Sequence, residues 1–328
     1  NLTTVENVPI EKVFLGEEHP IENIVIHFGA FAEVEIDTLV IPEGVTDIPE
    51  YCFYEARIKT LILPSTLESI GILDISREFR SSRDLRNFSN AFAKAEIGTL
   101  VIPEGVKSIP VECFKEAKIK TLILPSTLET ISAGAFADVE IDTLVIPEDV
   151  TEIPMGFLYG AKIKTLILPS TLKTIGAGAF GNAEIDILKI SGNVTEIPAY
   201  CFAEAKIKTL ELPSELSTFG IGDFEHENSS MAFAEVEIDT LVIPEGVTEI
   251  PAYCFVGAKI KTLTLPSTLA TISAGAFAEV EIDSLYIKNV SSIGQEAFKG
   301  FQGTIFTDNK EIKAKFVKAG LDTKQVVN

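Results

Sequence analysis

The chain has 328 residues, of which 46% are hydrophobic and 23% charged, so it can bury a continuous core and does not have the composition of a disordered protein. Its formal net charge of -21 argues against nucleic acid and acidic membrane surfaces as partners, because both select clustered Lys and Arg. The chain contains no run of about 18 apolar residues, so no transmembrane helix is predicted.

The N-terminal segment, residues 1–35, ends in half of a repeat. Residues 26–35 match the second half of a 22-residue unit that opens again at Ile36. We expect this segment to cap the first coil, because the terminal units of repeat proteins need a solvent-compatible outer face.

The repeat itself fills residues 36–303. Its period of 22 residues is clearest where isoleucines open consecutive units: Ile97, Ile119, Ile141, Ile163, Ile185 and Ile207. In the unit IKTLILPSTLETISAGAFADVE, apolar residues at positions 1, 4, 6, 10, 13 and 18 fit neither a helix nor an alternating strand. They fit a stacked coil with a strand from Thr121 to Leu124, ended by Pro125.

Two inward columns are predicted from the second half of the unit. One is aromatic, with Leu158 as the single substitute: Phe31, Phe53, Phe92, Phe114, Phe136, Phe180, Phe202, Phe233, Phe255, Phe277 and Phe298. The second column holds the residue that precedes this phenylalanine in each unit. In four units that residue is a cysteine: Cys52, Cys113, Cys201 and Cys254. Cysteines two coils apart would lie about 10 Å from each other, too far for a disulfide, so we expect free, buried thiols.

The charge pattern alternates from one unit to the next, so the full repeat is a pair of units. Units alternately open with Glu-Ile-Asp, as at residues 140–142, and with Lys-Ile-Lys, as at residues 118–120. Opposite charges therefore face each other across adjacent strands, and a slip of one unit would bring like charges together. We interpret these rows as devices that fix the register of the stack.

A first insertion of about 17 residues, 72–88, interrupts the unit that opens at Ile58. It holds four of the five arginines of the chain: Arg77, Arg80, Arg83 and Arg86. Their three-residue spacing would group them on one side of a helical turn, and arginine suits bidentate pairing with carboxylates or phosphate-like groups. They are candidates for partner contact; the alternative is pairing with the acidic residues around them.

The outward strand positions are a second candidate for partner binding. They carry an apolar series beside a series of threonines: Val40, Ile62, Val101, Ile123, Val145 and Ile167. An exposed apolar stripe is typical of an interface. The alternatives are that the first insertion covers it, or that β-branched residues occur there because they favour strands.

A second insertion of about nine residues, 221–229, interrupts the unit that opens at Ile207. It contains Asp223, Glu225, His226 and Glu227. Because a metal site needs several convergent ligands, and the other two histidines are distant in sequence, we interpret this segment as a solvated acidic loop. No metal or cofactor site is predicted.

A helix is predicted in the C-terminal segment, residues 304–328. Asp308 and Asn309 can cap its start, Ile312 and Phe316 share one face, and Gly320 ends it. We expect it to close the last coil.

The P-S-T-L-x-x-I-x-x-x-A-F pattern recurs about eleven times over roughly residues 26–303 and resembles the BspA-like, or Treponema pallidum-type, leucine-rich repeat family. The resemblance implies an α/β leucine-rich-repeat solenoid of about eleven 22-residue units with a parallel β-sheet on one face and a C-terminal capping helix. It also implies an exported or surface-attached bacterial protein that adheres to host or bacterial partners.

No catalytic constellation is predicted, since nothing resembles a nucleophile elbow, a zinc motif or a phosphate loop. The leading hypothesis is a non-catalytic surface or secreted protein that mediates adhesion or protein binding. One alternative is a structural spacer whose binding domain lies elsewhere. Another is a glycan-binding protein, which the absence of Trp and the six Tyr residues disfavour. The chain opens at Asn1 without a signal peptide, which we interpret as a sign of either an artificially trimmed chain or a mature fragment.

Overall fold

The computed structural model describes residues 10–14, 25–72, 89–220 and 229–327. The chain divides into two compact units, residues 1–163 (unit 1) and residues 164–328 (unit 2). It folds as a parallel β-solenoid with turns of about 22 residues and one C-terminal helix, so the predicted fold is confirmed. The three-part division into cap, repeats and cap remains a prediction.

Unit 1 alternates long and short strands. They are β1 (Ile10–Phe14), β2 (Glu35–Val40), β3 (Asp47–Pro49), β4 (Arg57–Ile62), β5 (Ser69–Ile72), β6 (Glu96–Val101), β7 (Ser108–Ile109), β8 (Lys118–Ile123), β9 (Thr130–Ile131), β10 (Glu140–Val145) and β11 (Glu152–Ile153), and β12 (Lys162–Ile167) begins in this unit. The long strands form one parallel sheet in the order β1-β2-β4-β6-β8-β10.

Unit 2 continues the same alternation. Its strands are β13 (Thr174–Ile175), β14 (Glu184–Lys189), β15 (Glu196–Ile197), β16 (Lys206–Glu211), β17 (Thr218–Phe219), β18 (Glu237–Val242), β19 (Glu249–Ile250), β20 (Lys259–Thr264), β21 (Thr271–Ile272), β22 (Glu281–Tyr286), β23 (Ser292–Ile293), β24 (Gln302–Phe306) and β25 (Val326–Val327), with helix α1 (Lys310–Lys318) before the last strand. Here the parallel order is β14-β16-β18-β20-β22-β24-β25.

Each of the six-residue strands buries two side chains three residues apart. In β8 these are Ile119 and Leu122, whereas Lys120 and Thr121 between them are both exposed. The paired register between β6 and β8 passes over Lys120. The strand therefore bends at that residue, and this bend lets two residues three positions apart face the same core.

The predicted strand, Thr121 to Leu124, is wrong at both ends. The observed strand starts three residues earlier because Lys118 and Ile119 already pair with Glu96 and Ile97 of the preceding coil. Leu124 follows the strand and is half-buried.

The second half of each coil holds two residues in the left-handed region, four positions apart. Examples are Glu112 and Glu116, with φ of 53° and 58°, and Tyr200 and Glu204, with φ of 59° and 60°. The N–H of Glu116 donates to the carbonyl of Ala137 in the next coil at 2.8 Å. The turns are thus hydrogen-bonded from coil to coil, as the strands are.

The aromatic column fills the core of both units. In unit 1, Phe53, Phe92, Phe114 and Phe136 stack with centroid separations of 5.0 to 5.1 Å and interplanar angles of 9 to 11°. Phe157, the residue before Leu158, then packs edge-on against Phe136 at 5.5 Å. The one unit that lacks Phe in the column therefore keeps an aromatic side chain in the core from the neighbouring position.

Opposite charges meet across neighbouring strands, as the alternation predicts. Lys59 lies 2.7 Å from Asp37, and the pairs Lys208–Asp186 and Lys261–Asp239 are each separated by 2.6 Å. All these side chains are largely exposed, and exposed ion pairs contribute little to stability. We interpret these ion pairs as fixing which residues of neighbouring strands face each other more than as adding stability.

Further elements pack against the first and the last coil of the repeats. Phe31 of the N-terminal half-repeat stacks on Phe53 at 5.6 Å, and strand β1, which the sequence did not predict, pairs with β2. At the other end the side chain of Asn309 caps α1, and the buried Phe316 packs edge-on against Phe298 at 5.1 Å. The predicted C-terminal helix is confirmed. None of the helices in the described part of the chain is long and apolar enough to cross a membrane.

Candidate functional site

The outward face of the unit 1 sheet carries an exposed row of aliphatic side chains, which we call the apolar row. It consists of the last residues of β2, β4, β6, β8 and β10: Val40, Ile62, Val101, Ile123 and Val145. The register pairs Val40 with Ile62, Ile62 with Val101, and Val101 with Ile123. Neighbouring members are therefore one strand spacing, about 4.8 Å, apart.

Four members of the apolar row are open to solvent. The exposed fractions are 48% for Ile62, 46% for Val101, 51% for Ile123 and 48% for Val145, whereas Val40 is half-buried. Among the residues that the structure describes, none covers these four side chains. A contiguous set of exposed aliphatic residues is the kind of surface that proteins use to bind other macromolecules.

Hydroxyl and charged side chains border the apolar row on one side. Thr38, Thr60, Thr99 and Thr121 are paired in register two residues before it. Next to them lies the charged row with Asp37, Lys59, Lys120 and Asp142. Gly98 stands between Lys59 and Lys120 in this row, and because the two lysines balance the two aspartates, the row has little net charge although the chain as a whole is strongly acidic.

In unit 2 the equivalent row is mixed. Ile167 is 49% exposed, but Lys189 and Glu211 follow it and form an ion pair at 2.9 Å. Towards the C-terminus the row holds Val242, Thr264 and Tyr286, and Tyr286 stacks on Phe306 at 5.0 Å. The longest apolar part of the row is therefore the one in unit 1.

The other candidates from the sequence lie in the insertions. Arg77, Arg80, Arg83 and Arg86 lie outside the described residues, as do Asp223, Glu225, His226 and Glu227. Within the described ranges, no group of three or more His, Cys, Asp and Glu is placed to hold a metal ion.

The cysteines are free and buried, as expected. Burial raises the pKa of the Cys52, Cys113, Cys201 and Cys254 thiols well above the usual range. A protonated, inaccessible thiol is a poor nucleophile and a poor metal ligand. These four residues are therefore core residues that fill the space before the aromatic column.

Sequence reasoning missed one recurring contact at the turn after the long strands. The Pro-Ser-Thr turn of one coil holds the glutamate of the coil before it. Glu104 accepts from the N–H groups of Ser126 and Thr127, each at 3.2 Å, and from the Ser126 hydroxyl at 2.9 Å. These bonds hold the pKa of the Glu104 carboxyl below its usual range.

The same contact occurs at two further turns. Glu43 accepts from the N–H and hydroxyl of Ser65, each at 3.0 Å, and Glu245 accepts from the N–H and hydroxyl of Ser267 at 2.9 and 2.7 Å. The sequence signal is the Glu at position 8 of these coils, 22 residues before the serine. Only the stacking shows that the two residues meet.

Comparison with known proteins identifies the family. A family model described as the BspA type leucine rich repeat region, with six copies, matches residues 18–89, 87–205, 151–231 and 226–313. The chain belongs to this family. The matched residues include the range of roughly 26–303 over which the sequence pattern predicted this family, so that prediction is confirmed.

Solved structures resemble this BspA-type chain only at low sequence identity. A leucine-rich repeat protein from Bacteroides ovatus is 18% identical with a TM-score of 0.43, over 89% of this chain and 83% of that one. A leucine rich cell surface protein from Faecalibacterium prausnitzii is 17% identical with a TM-score of 0.37, over 88% and 82%. The pneumococcal vaccine antigen PcpA is 14% identical with a TM-score of 0.38, over 97% and 82%. No curated protein matches the chain.

Proposed function

We propose that this chain is a non-catalytic protein of the bacterial surface or of the secreted fraction, and that it binds a protein partner through the apolar row of unit 1. The observation that carries the proposal is the exposure of Ile62, Val101, Ile123 and Val145, each near one half, on neighbouring strands. The membership in the BspA-type family and the cell-surface relative support the location.

The surroundings of the apolar row support one kind of partner. The centre of a protein interface is apolar and depleted in charge, while its rim is polar. The apolar row would provide the centre, and the threonine and charged rows would provide the rim. Because the lysines and aspartates of the charged row balance, they favour a partner with no strong net charge of its own, such as a host or bacterial surface protein with exposed aliphatic or aromatic side chains.

The experiment uses the variant Val101→Lys/Ile123→Lys. This change should leave the fold intact, because Lys189 occupies the equivalent position in unit 2. Binding is measured to intact host cells and to a panel of immobilised matrix proteins. We expect at least about a tenfold loss of affinity, since each lysine must be desolvated in an apolar contact. The matched control is Val242→Lys, an equally exposed change in unit 2, which should alter affinity by less than about threefold.

Equal binding by the two variants would overturn the apolar row as the site. If the unchanged protein binds nothing in the panel, the spacer hypothesis is favoured. The four arginines remain a second proposed contact, tested by deleting residues 72–88 in the same assay. Unchanged binding after this deletion would remove the arginines from the proposal and leave the apolar row unaffected.

A further inference from the structure

One turn in unit 2 lacks the glutamate that the equivalent turns hold. At position 8, where Glu43, Glu104 and Glu245 stand, the coil that opens at Ile185 has Gly192. The turn that would receive a carboxylate from it is Pro213-Ser214-Glu215. Within the described part of the chain, the N–H groups of Ser214 and Glu215 have no hydrogen-bond acceptor.

The space left by the missing side chain is open. A groove of about 290 Å³ is lined by residues 189–192 of one coil and 211–214 of the next. Lys189 and Glu211 line it as an ion pair at 2.9 Å, so their charges largely cancel. The Ser214 hydroxyl lies 3.4 Å from the Glu215 carboxylate, a long contact that leaves it able to turn towards the groove.

The backbone at Gly192 leaves no room for a side chain. Gly192 has φ of +87°, and a Cβ built there would lie 2.6 Å from the Leu172 carbonyl oxygen and 2.9 Å from that of Ser170. A side chain at this position would therefore force the backbone to move. The vacancy is a consequence of the path of the chain and does not depend on a rotamer.

We infer that this groove binds a carboxylate of another molecule through the N–H groups of Ser214 and Glu215 and the hydroxyl of Ser214. The serine N–H, the serine hydroxyl and the N–H of the next residue hold a carboxylate of the chain itself at the Ser126 and Ser267 turns, at 2.7 to 3.3 Å, although the next residue there is a threonine and here it is Glu215. Backbone N–H groups pair strongly with ionised acceptors, and two of them fixed by a turn lose little entropy on binding. The site is separate from the apolar row, and its test does not depend on that proposal.

The experiment follows backbone amide resonances of the full chain during titration with sodium acetate at pH 7. Sodium chloride at equal ionic strength and acetamide serve as reference titrants. We expect saturable downfield shifts of the Ser214 and Glu215 amide protons with acetate alone. The amides of Ser126 and Thr127 should not respond, because Glu104 occupies them.

The variant Glu104→Ala provides the matched positive control. It opens the Ser126 turn, so the Ser126 and Thr127 amides should then respond to acetate as those of Ser214 and Glu215 do. Ser214→Ala removes one of three donors without touching the backbone, and it should weaken acetate binding at this groove by about tenfold or less.

A blocked peptide with a single glutamate, compared with its glutamine counterpart, identifies the source of the carboxylate. Tighter binding than acetate indicates an acidic side chain of a protein, and weaker binding indicates a small free carboxylate. If the Ser214 and Glu215 amides respond equally to acetate, chloride and acetamide, the inference is wrong, whatever the Ser126 turn does.

Discussion

At the scale of single residues, the left-handed positions of the turns are the most demanding feature of the repeat. Sixteen non-glycine residues among those described have a positive φ, and most belong to two columns. An L-residue with a side chain loses about 1 kcal/mol or more in this conformation relative to glycine. The fold accepts this cost at many positions because the backbone hydrogen bonds between coils require that geometry.

Gly178 tests this cost directly. It has φ of +61°, and an added Cβ would meet no atom within 4 Å, so a substitution introduces strain without a clash. We expect Gly178→Ala to lower the free energy of unfolding by about 1 kcal/mol, measured by equilibrium denaturation in urea. The reverse change at another left-handed position, Glu204→Gly, should leave stability equal or raise it. A loss of stability in both variants would contradict the explanation.

The pH dependence of stability is also set by single residues. The hydrogen bonds from Ser126 and Thr127 lower the pKa of Glu104, so its contribution is present above the unfolded value of about 4.3 and is lost as the pH falls through the lower folded value. We expect Glu104→Gln to have a lower Tm than the unchanged protein at pH 7, and the difference to shrink as the pH is lowered through the acidic range.

Asp138 provides a control, because its pKa is shifted in the opposite direction from that of Glu104. Burial and, to a smaller extent, the neighbouring Glu116 raise the pKa of Asp138, so the folded state is favoured by its protonation. That contribution is present at low pH and is lost as the pH rises through the raised value. Asp138→Asn should therefore have a higher Tm than the unchanged protein at pH 7. A lower Tm would show that its contacts outweigh its electrostatics.

At the scale of elements, the aromatic column holds the coils together. Phe114 lies 5.1 Å from both Phe92 and Phe136 and is fully buried. We expect Phe114→Ala to lower the free energy of unfolding by about 3 to 5 kcal/mol, because the coil cannot close over the cavity. Phe114→Leu should lose about half as much or less, since Leu158 stands in this column. Equal losses for the two variants in guanidinium titrations would contradict this ranking.

The charged rows act on the register of the strands. Lys261 pairs with Asp239 at 2.6 Å, and the next coil has Asp283 at the same position. Lys261→Glu would place three acidic side chains in succession, and we expect a loss of about 1 kcal/mol that falls when salt is raised from 0.05 to about 1 M. Lys261→Gln should lose less and show little salt dependence. A loss independent of salt would mean that the side chain matters through packing.

At the scale of the whole molecule, a solenoid depends on its terminal caps, because each repeat contacts only its neighbours. We expect Phe316→Asp to open the last coils, since Phe316 is buried against Phe298. Hydrogen exchange followed by mass spectrometry should show faster exchange in β22 and β24, while β6 and β8 keep their protection. Val317→Asp, on the exposed side of the same helix, is the control and should change neither region.

The sequence alone determines the period, the inward columns, the charge alternation and the capping helix of this protein. Each is repeated in almost every unit, or, like the Asn309 cap with Ile312 and Phe316, is encoded within a few neighbouring residues. Stacking requires the same side chain to fill the same corner of every coil, so the requirement appears directly as a repeated letter. That is why the family and the fold could be predicted without a structure.

The tertiary structure alone decides which residues meet across coils and which face solvent. The start of β8 depends on hydrogen bonds to a coil 22 residues earlier, and the exposure of Ile123 depends on what the rest of the chain leaves uncovered. The Ser126 turn holds Glu104 of the preceding coil, whereas the Ser214 turn faces Gly192 and an open groove. Such contacts join residues distant in sequence, and no local pattern encodes them.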